Sequence, residues 1–160
     1  MTRIFLVLLT LLSLQAFSQQ TAIYQDPERE YRQGLDLLEK QKYGAAQKLF
    51  MNVLQSKEHL SYDVISNSAY YAAKCASELF NKDAEYLLLD FIEKYPASSN
   101  YQPAVYDLGI YYYRLKRYKN AIEFLAKVDQ SDLSAEKKDE VNFKIGYSYY
   151  MTSEYDKASK

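Results

Sequence analysis

The feature that most constrains this chain of 160 residues is an internal repeat. Small residues recur as Gly34, Ala72, Gly109 and Gly146, and a second series recurs as Ala46, Ala84, Ala121 and Ala158. Both series step by 38, 37 and 37 residues. Larger apolar residues keep the same register, as Phe50, Leu88 and Leu125 and as Val53, Phe91 and Val128. Three of only four glycines in the chain occupy one repeat position, so chance does not explain the register. A period of this length marks a supersecondary unit that cannot bury its apolar face alone and must stack on copies of itself.

The third unit shows what that element is. Val105, Leu108, Gly109, Tyr112 and Leu115 follow at i, i+3, i+4, i+7 and i+10, and after Lys116 and Arg117 the spacing restarts with Tyr118, Ala121, Ile122, Leu125 and Val128. Two stripes of helical period around a short polar break predict an antiparallel helix pair, with the small residues where the backbones come close. The remaining units read alike. Asp26-Pro27 starts a helix to about Lys40, a turn around Gln41 to Gly44 leads to a second helix, and Leu60 to Phe80 is a longer helix ended at Asn81-Lys82-Asp83. Pro96 stops the following helix, Ala97 to Asn100 supplies the link and the next cap, Asp129 to Ser134 connects, and Ala135 to Met151 is helical. Few breakers and abundant Ala, Leu, Lys, Glu and Tyr agree with an all-α fold.

The first eighteen residues differ in kind. Arg3 precedes an apolar run from Ile4 to Leu14, and Ala16-Phe17-Ser18 has the small-x-small form. That layout predicts a secretory signal peptide over 1–18, cleaved after Ser18; the run is shorter than the roughly 20 residues of a membrane span. No Cys lies at the cleavage point to accept a lipid. A lead-in at 19–25 then precedes a repeat array over 26–160, with units at about 27–58, 61–96, 101–130 and 135–160. The last unit is incomplete, because its second helix stops one turn after Tyr155. The chain is therefore expected either to be the N-terminal part of a longer protein or to end on a capping helix with a short tail.

The repeat resembles the tetratricopeptide repeat on these residues: a small residue on each helix, an aromatic near the turn (Tyr43, Tyr118, Tyr155), and Ala followed by Phe or Leu on the second helix. The second unit departs from the pattern, with Ala72 for Gly, Cys75 for a large residue and Asn81 for the turn aromatic. Lys94-Tyr95-Pro96, followed by Ser and a Gly-bearing helix, is similar to exported bacterial repeat proteins of the envelope, such as the outer-membrane assembly lipoprotein and the periplasmic Tol-Pal coordinator. The resemblance implies a right-handed superhelical solenoid of stacked helix pairs, a periplasmic location, and a scaffold role in envelope assembly or maintenance.

Chemistry has little material here. The single His59 and single Cys75 leave almost no material for a Cys-His pair or His-Cys metal spacing, no Gly-rich phosphate loop occurs, and neither catalysis nor a cofactor is expected. One thiol forms no intrachain disulfide, and Cys75, between Ala72 and Ala76 on an apolar face, reads as a small buried hydrophobe. A formal charge of −1, with the signs interspersed, gives nucleic acid or an anionic membrane nothing to grip.

Aromatics are the suggestive feature, since the chain has 18 tyrosines. On the first helices they form a second stripe: Tyr31 and Leu35 in the first unit, Tyr106, Ile110 and Tyr113 in the third with Arg114 beside them, and Phe143, Tyr147 and Tyr150 in the fourth. In the resembled family this face lines the concave groove that holds peptides, so a protein or peptide partner is expected there. The second unit offers Ala69, Ala73 and Ala76, which predicts a hollow. The alternative is that many of these tyrosines pack between neighbouring units. A rival function is the sensory or tethering region of a longer protein with a membrane helix and a signalling or glycan-binding domain. The partner's identity and the oligomeric state are not legible.

Overall fold

The computed structural model describes residues 26–56, 59–131 and 133–158; the expected signal peptide and lead-in lie outside them. Within that range the fold is all-helical. The helices are α1 (Pro27–Glu39), α2 (Tyr43–Gln55), α3 (Tyr62–Glu78), α4 (Ala84–Lys94), α5 (Tyr101–Arg114), α6 (Tyr118–Leu125), α7 (Ala135–Met151) and α8 (Tyr155–Ala158). Each packs on the next in sequence, and the first helices of adjacent pairs also touch, α1 on α3 and α3 on α5.

Side-chain caps fix three of the described starts. The Asp26 carboxylate accepts from the Glu28 and Arg29 amides at 3.1 and 3.2 Å, with Pro27 in the first turn. The Ser61 and Ser134 hydroxyls accept from Val64 and Lys137 at the starts of α3 and α7. Asn100, the expected cap of α5, makes no side-chain cap; its amide instead reaches Asn67 on α3 at 2.7 Å.

The repeat is also written in the backbone of the turns. Within each pair the chain reverses through a residue of positive φ: Gln41 (54°), Phe80 (54°), Lys116 (59°) and Ser153 (64°). The next amide then bonds back into the first helix: Lys42 to Leu37, Asn81 to Ala76, Arg117 to Tyr112 and Glu154 to Tyr149. This is the Schellman closure, and it satisfies carbonyls that the helix end leaves without partners. None of the four left-handed positions holds glycine, although that conformation disfavours a side chain. In the second unit the turn falls one residue later after the small residue, at Phe80 rather than Leu79, and the aromatic-turn pattern is lost there.

The core follows the repeat. Ala46, Ala84 and Ala121 are wholly buried, as are Phe50, Leu88 and Leu125, and Ala72, Val53, Phe91 and Val128 are close to it. Burying each large side chain of this set contributes about 1.5–3 kcal/mol. The close approach of Gly34 and Gly109 is to the large residue of the second helix rather than to its alanine. A β-carbon on Gly34 would lie 2.8 Å from Phe50, and one on Gly109 would lie 2.6 Å from Leu125. Gly146 and Ala158, expected in the core, are instead half-exposed, because the described residues of α8, Tyr155–Ala158, cover α7 only in part. Cys75 is fully buried, and burial pushes its thiol up to about 11.

Candidate functional site

The nine residues of the expected aromatic groove fall into three environments. In the first unit, Tyr31 and Leu35 pack on the cluster of Ala46, Phe50, Ala72 and Cys75. Tyr31 sets its ring edge-on to Phe50 at 6.1 Å, and its hydroxyl accepts from the Asn67 amide at 3.2 Å. This pair joins the first unit to the second.

In the third unit the side chains bridge. The Tyr106 hydroxyl donates to Glu140 on α7 at 2.8 Å, and burial and this carboxylate together raise its pKa. Ile110 is half-buried. Tyr113 is half-buried against Tyr118 and Tyr147, with the Lys144 ammonium 4.8 Å from its ring centre. Arg114 reaches back to Glu78 at 3.2 Å and lies over the Phe80 ring at 4.2 Å. Burial alone would raise the Glu140 carboxyl, but hydrogen bonds from Tyr106 and Lys144 outweigh it and lower its pKa.

In the fourth unit the aromatics are open. Phe143 is 65% exposed, Tyr150 58% and Tyr147 39%, and Tyr155 on α8 is 59% exposed. Their rings adjoin: Phe143 stacks on Tyr147, Tyr147 touches Tyr150, and Tyr150 meets Tyr155 edge-on at 5.6 Å. Through Tyr147 this open surface continues into the half-buried Tyr113 and Tyr118. Adjoining exposed rings of this kind make the surface a candidate contact site.

The hollow expected over the second unit is filled. Ala73 and Ala76 are wholly buried, in one cluster with Leu108, Tyr111 and Tyr112 of α5. Small side chains on α3 let α5 come close, and its tyrosines occupy the space that the missing bulk left. Tyr112 is tied down further, its hydroxyl donating to Glu85 on α4 at 2.9 Å, and burial with that bond brings its pKa to about 12.

With this geometry established, comparison with known proteins adds no relative. The chain matches no protein-family model and no curated protein.

A second concave feature escaped the sequence reading. A cleft of about 420 Å³ opens between α3, α5 and the start of α7, lined by Tyr70, Lys74, Pro103, Tyr106, Asp107 and Lys137, with Val128 and Leu133 of the α6–α7 connection. On its wall the buried Tyr70 donates to Asp107 at 2.8 Å, and Lys74 pairs with the same carboxylate at 3.1 Å. Only one signal could have found it: Tyr70 and Asp107 stand 37 residues apart, in repeat register. Among the described residues no group of three or more His, Cys, Asp or Glu side chains could hold a metal ion, and no helix is long and apolar enough to cross a membrane. His59 lies exposed in a turn with a φ of 67°.

Proposed function

We propose that this protein is an exported scaffold of the bacterial envelope, a tetratricopeptide-like solenoid that performs no chemistry itself and binds a protein or peptide partner. The observation that carries the reading is the open aromatic surface of Phe143, Tyr147, Tyr150 and Tyr155 at one end of an otherwise well-packed set of helix pairs. Tyrosine and phenylalanine give large contact area at low entropic cost, and tyrosine adds a hydroxyl for specificity, so such surfaces concentrate binding energy. Register in sequence, core and turn geometry supports stacked units as the frame. The right-handed superhelix rests on the tetratricopeptide resemblance, and export rests on the signal-like residues 1–18.

Affinity purification from the native envelope with chemical crosslinking identifies the partner. The variant carrying Tyr147→Ser and Tyr150→Ser is then expected to lose that partner while its circular dichroism stays helical, since both side chains are substantially exposed. Retention of the partner by this variant removes the reading.

A further inference from the structure

The cleft between α3, α5 and α7 lies apart from the open aromatic surface, sharing with the expected groove only Tyr106. Its charged lining, among the described residues, is Lys74, Lys137, Asp107 and Asp129. A strongly anionic or cationic ligand would therefore meet repulsion as well as attraction. A neutral ligand with both a donor and an acceptor would not.

The wall of the cleft holds one of each, side by side. Tyr70 and Lys74 both bond to the same oxygen of Asp107, Oδ2, at 2.8 and 3.1 Å. Oδ1 of Asp107 has no donor among the described residues. Lys74 spends two of its three N–H groups, on Asp107 and on the Tyr70 hydroxyl at 3.4 Å, and keeps one. Neither group is sealed off, for the side chains of Lys74 and Asp107 are 33% and 16% exposed. Their mutual bond keeps the spare donor and the spare acceptor close together.

In an extended peptide the N–H and C=O of a single residue point the same way, which is why one residue exchanges two hydrogen bonds with its opposite in an antiparallel sheet. An acceptor beside a donor offers partners of the right kind to that pair. The opposite side of the cleft is apolar, made by Pro103, the Tyr106 ring, Val128 and Leu133, and about 420 Å³ is within the usual size of small-ligand pockets. We infer that the cleft binds an extended, uncharged peptide segment, with the amide and carbonyl of one residue on Asp107 and Lys74 and an apolar side chain against Pro103 and Tyr106. This rests on the reading of the protein as a peptide- or protein-binding scaffold and names a second contact on it.

The test is a protein-observed NMR titration of the full mature chain with the capped peptide acetyl-Ser-Ala-Phe-Ala-Ser-amide. The expected result is saturable shifts confined to the amides of cleft residues, centred on Asp107. Methylating the Phe nitrogen removes the donor to Asp107 and should weaken binding about five- to tenfold, the effect of one hydrogen bond. Lys74→Met, which keeps the aliphatic stem, should weaken it similarly, while Lys137→Met should change it little. Absence of cleft shifts at millimolar peptide, or equal binding by the N-methylated peptide, overturns the inference. Stronger shifts from a neutral oligosaccharide such as maltotriose would also overturn it, by assigning the cleft to sugars. None of these outcomes alters partner loss on mutating Tyr147 and Tyr150, so failure here is distinguishable from failure of the scaffold reading.

Discussion

Gly109 faces Leu125 so closely that a β-carbon on it would lie 2.6 Å from Leu125 Cδ2 and 3.1 Å from the Leu125 backbone nitrogen. A flexible side chain can move away from such a contact; a backbone atom in a helix cannot do so without separating the pair. Gly109→Ala is therefore expected to destabilise the fold by about 1–3 kcal/mol, as overpacking does. Leu125→Ala, which leaves a cavity at a wholly buried position, should cost about 2–5 kcal/mol. In a double-mutant cycle by urea unfolding, the pair should cost less than the sum of the singles, because removing the leucine side chain relieves most of the clash.

The four turns of positive φ make a stabilising change available. Lys116, exposed and left-handed at 59°, bears a β-carbon where glycine would fit without strain. Lys116→Gly should raise stability by about 0.5–1 kcal/mol, the relief of left-handed strain less the added freedom of the unfolded chain. Thermal melting checks this. A fall in Tm would show that the long Lys116 side chain has a role the turn geometry does not reveal.

Ser68 is wholly buried in α3, and its hydroxyl has no hydrogen-bond partner among the described residues. A buried polar atom left unsatisfied costs about 1–3 kcal/mol, so Ser68→Ala should stabilise the protein by about 1 kcal/mol in chemical denaturation.

Acid should loosen the joints between units. Glu85, held by Arg117 and Tyr112, and Glu140, held by Tyr106 and Lys144, both have lowered pKa values despite the opposing effect of burial. A carboxyl lowered by folding contributes stability that is present above its unfolded pKa, about 4.3 for Glu, and is lost as pH falls through the folded value. Tm should therefore decline as pH drops below about 4.3. Glu140→Gln should start from a lower Tm at neutral pH and fall less steeply. Parallel pH profiles for this variant and the parent would contradict the assignment.

Much of this arrangement was legible in the residues, and the part that was not has a physical reason. Period and small-residue register located the pairs, and Ala135 to Met151 and the break at Asn81 to Asp83 were placed to the residue or nearly so. Periodicity reports which face of a helix is apolar but not what covers it. Tyr31, Tyr106 and Phe143 share a repeat position, yet the first packs on Phe50, the second bonds Glu140, and the third is open. Their neighbours decide, and among the described residues Phe143 stays 65% exposed. The cleft was less visible still, because Tyr70, Lys74 and Asp107 come from two helices and none is unusual alone.

The central claim is that the open aromatic surface on α7 and α8 is where a partner docks. Phe143 and Tyr86 provide a matched pair, since both are 65% exposed but Tyr86 lies on α4, outside the ring cluster. Replacing each in turn by the photocrosslinker benzoyl-phenylalanine in the native host measures which surface meets another protein. A discrete light-dependent adduct is expected at position 143, abolished by Tyr147→Ser with Tyr150→Ser, and none at 86. Equal adducts at both positions, or none at 143, would contradict that claim.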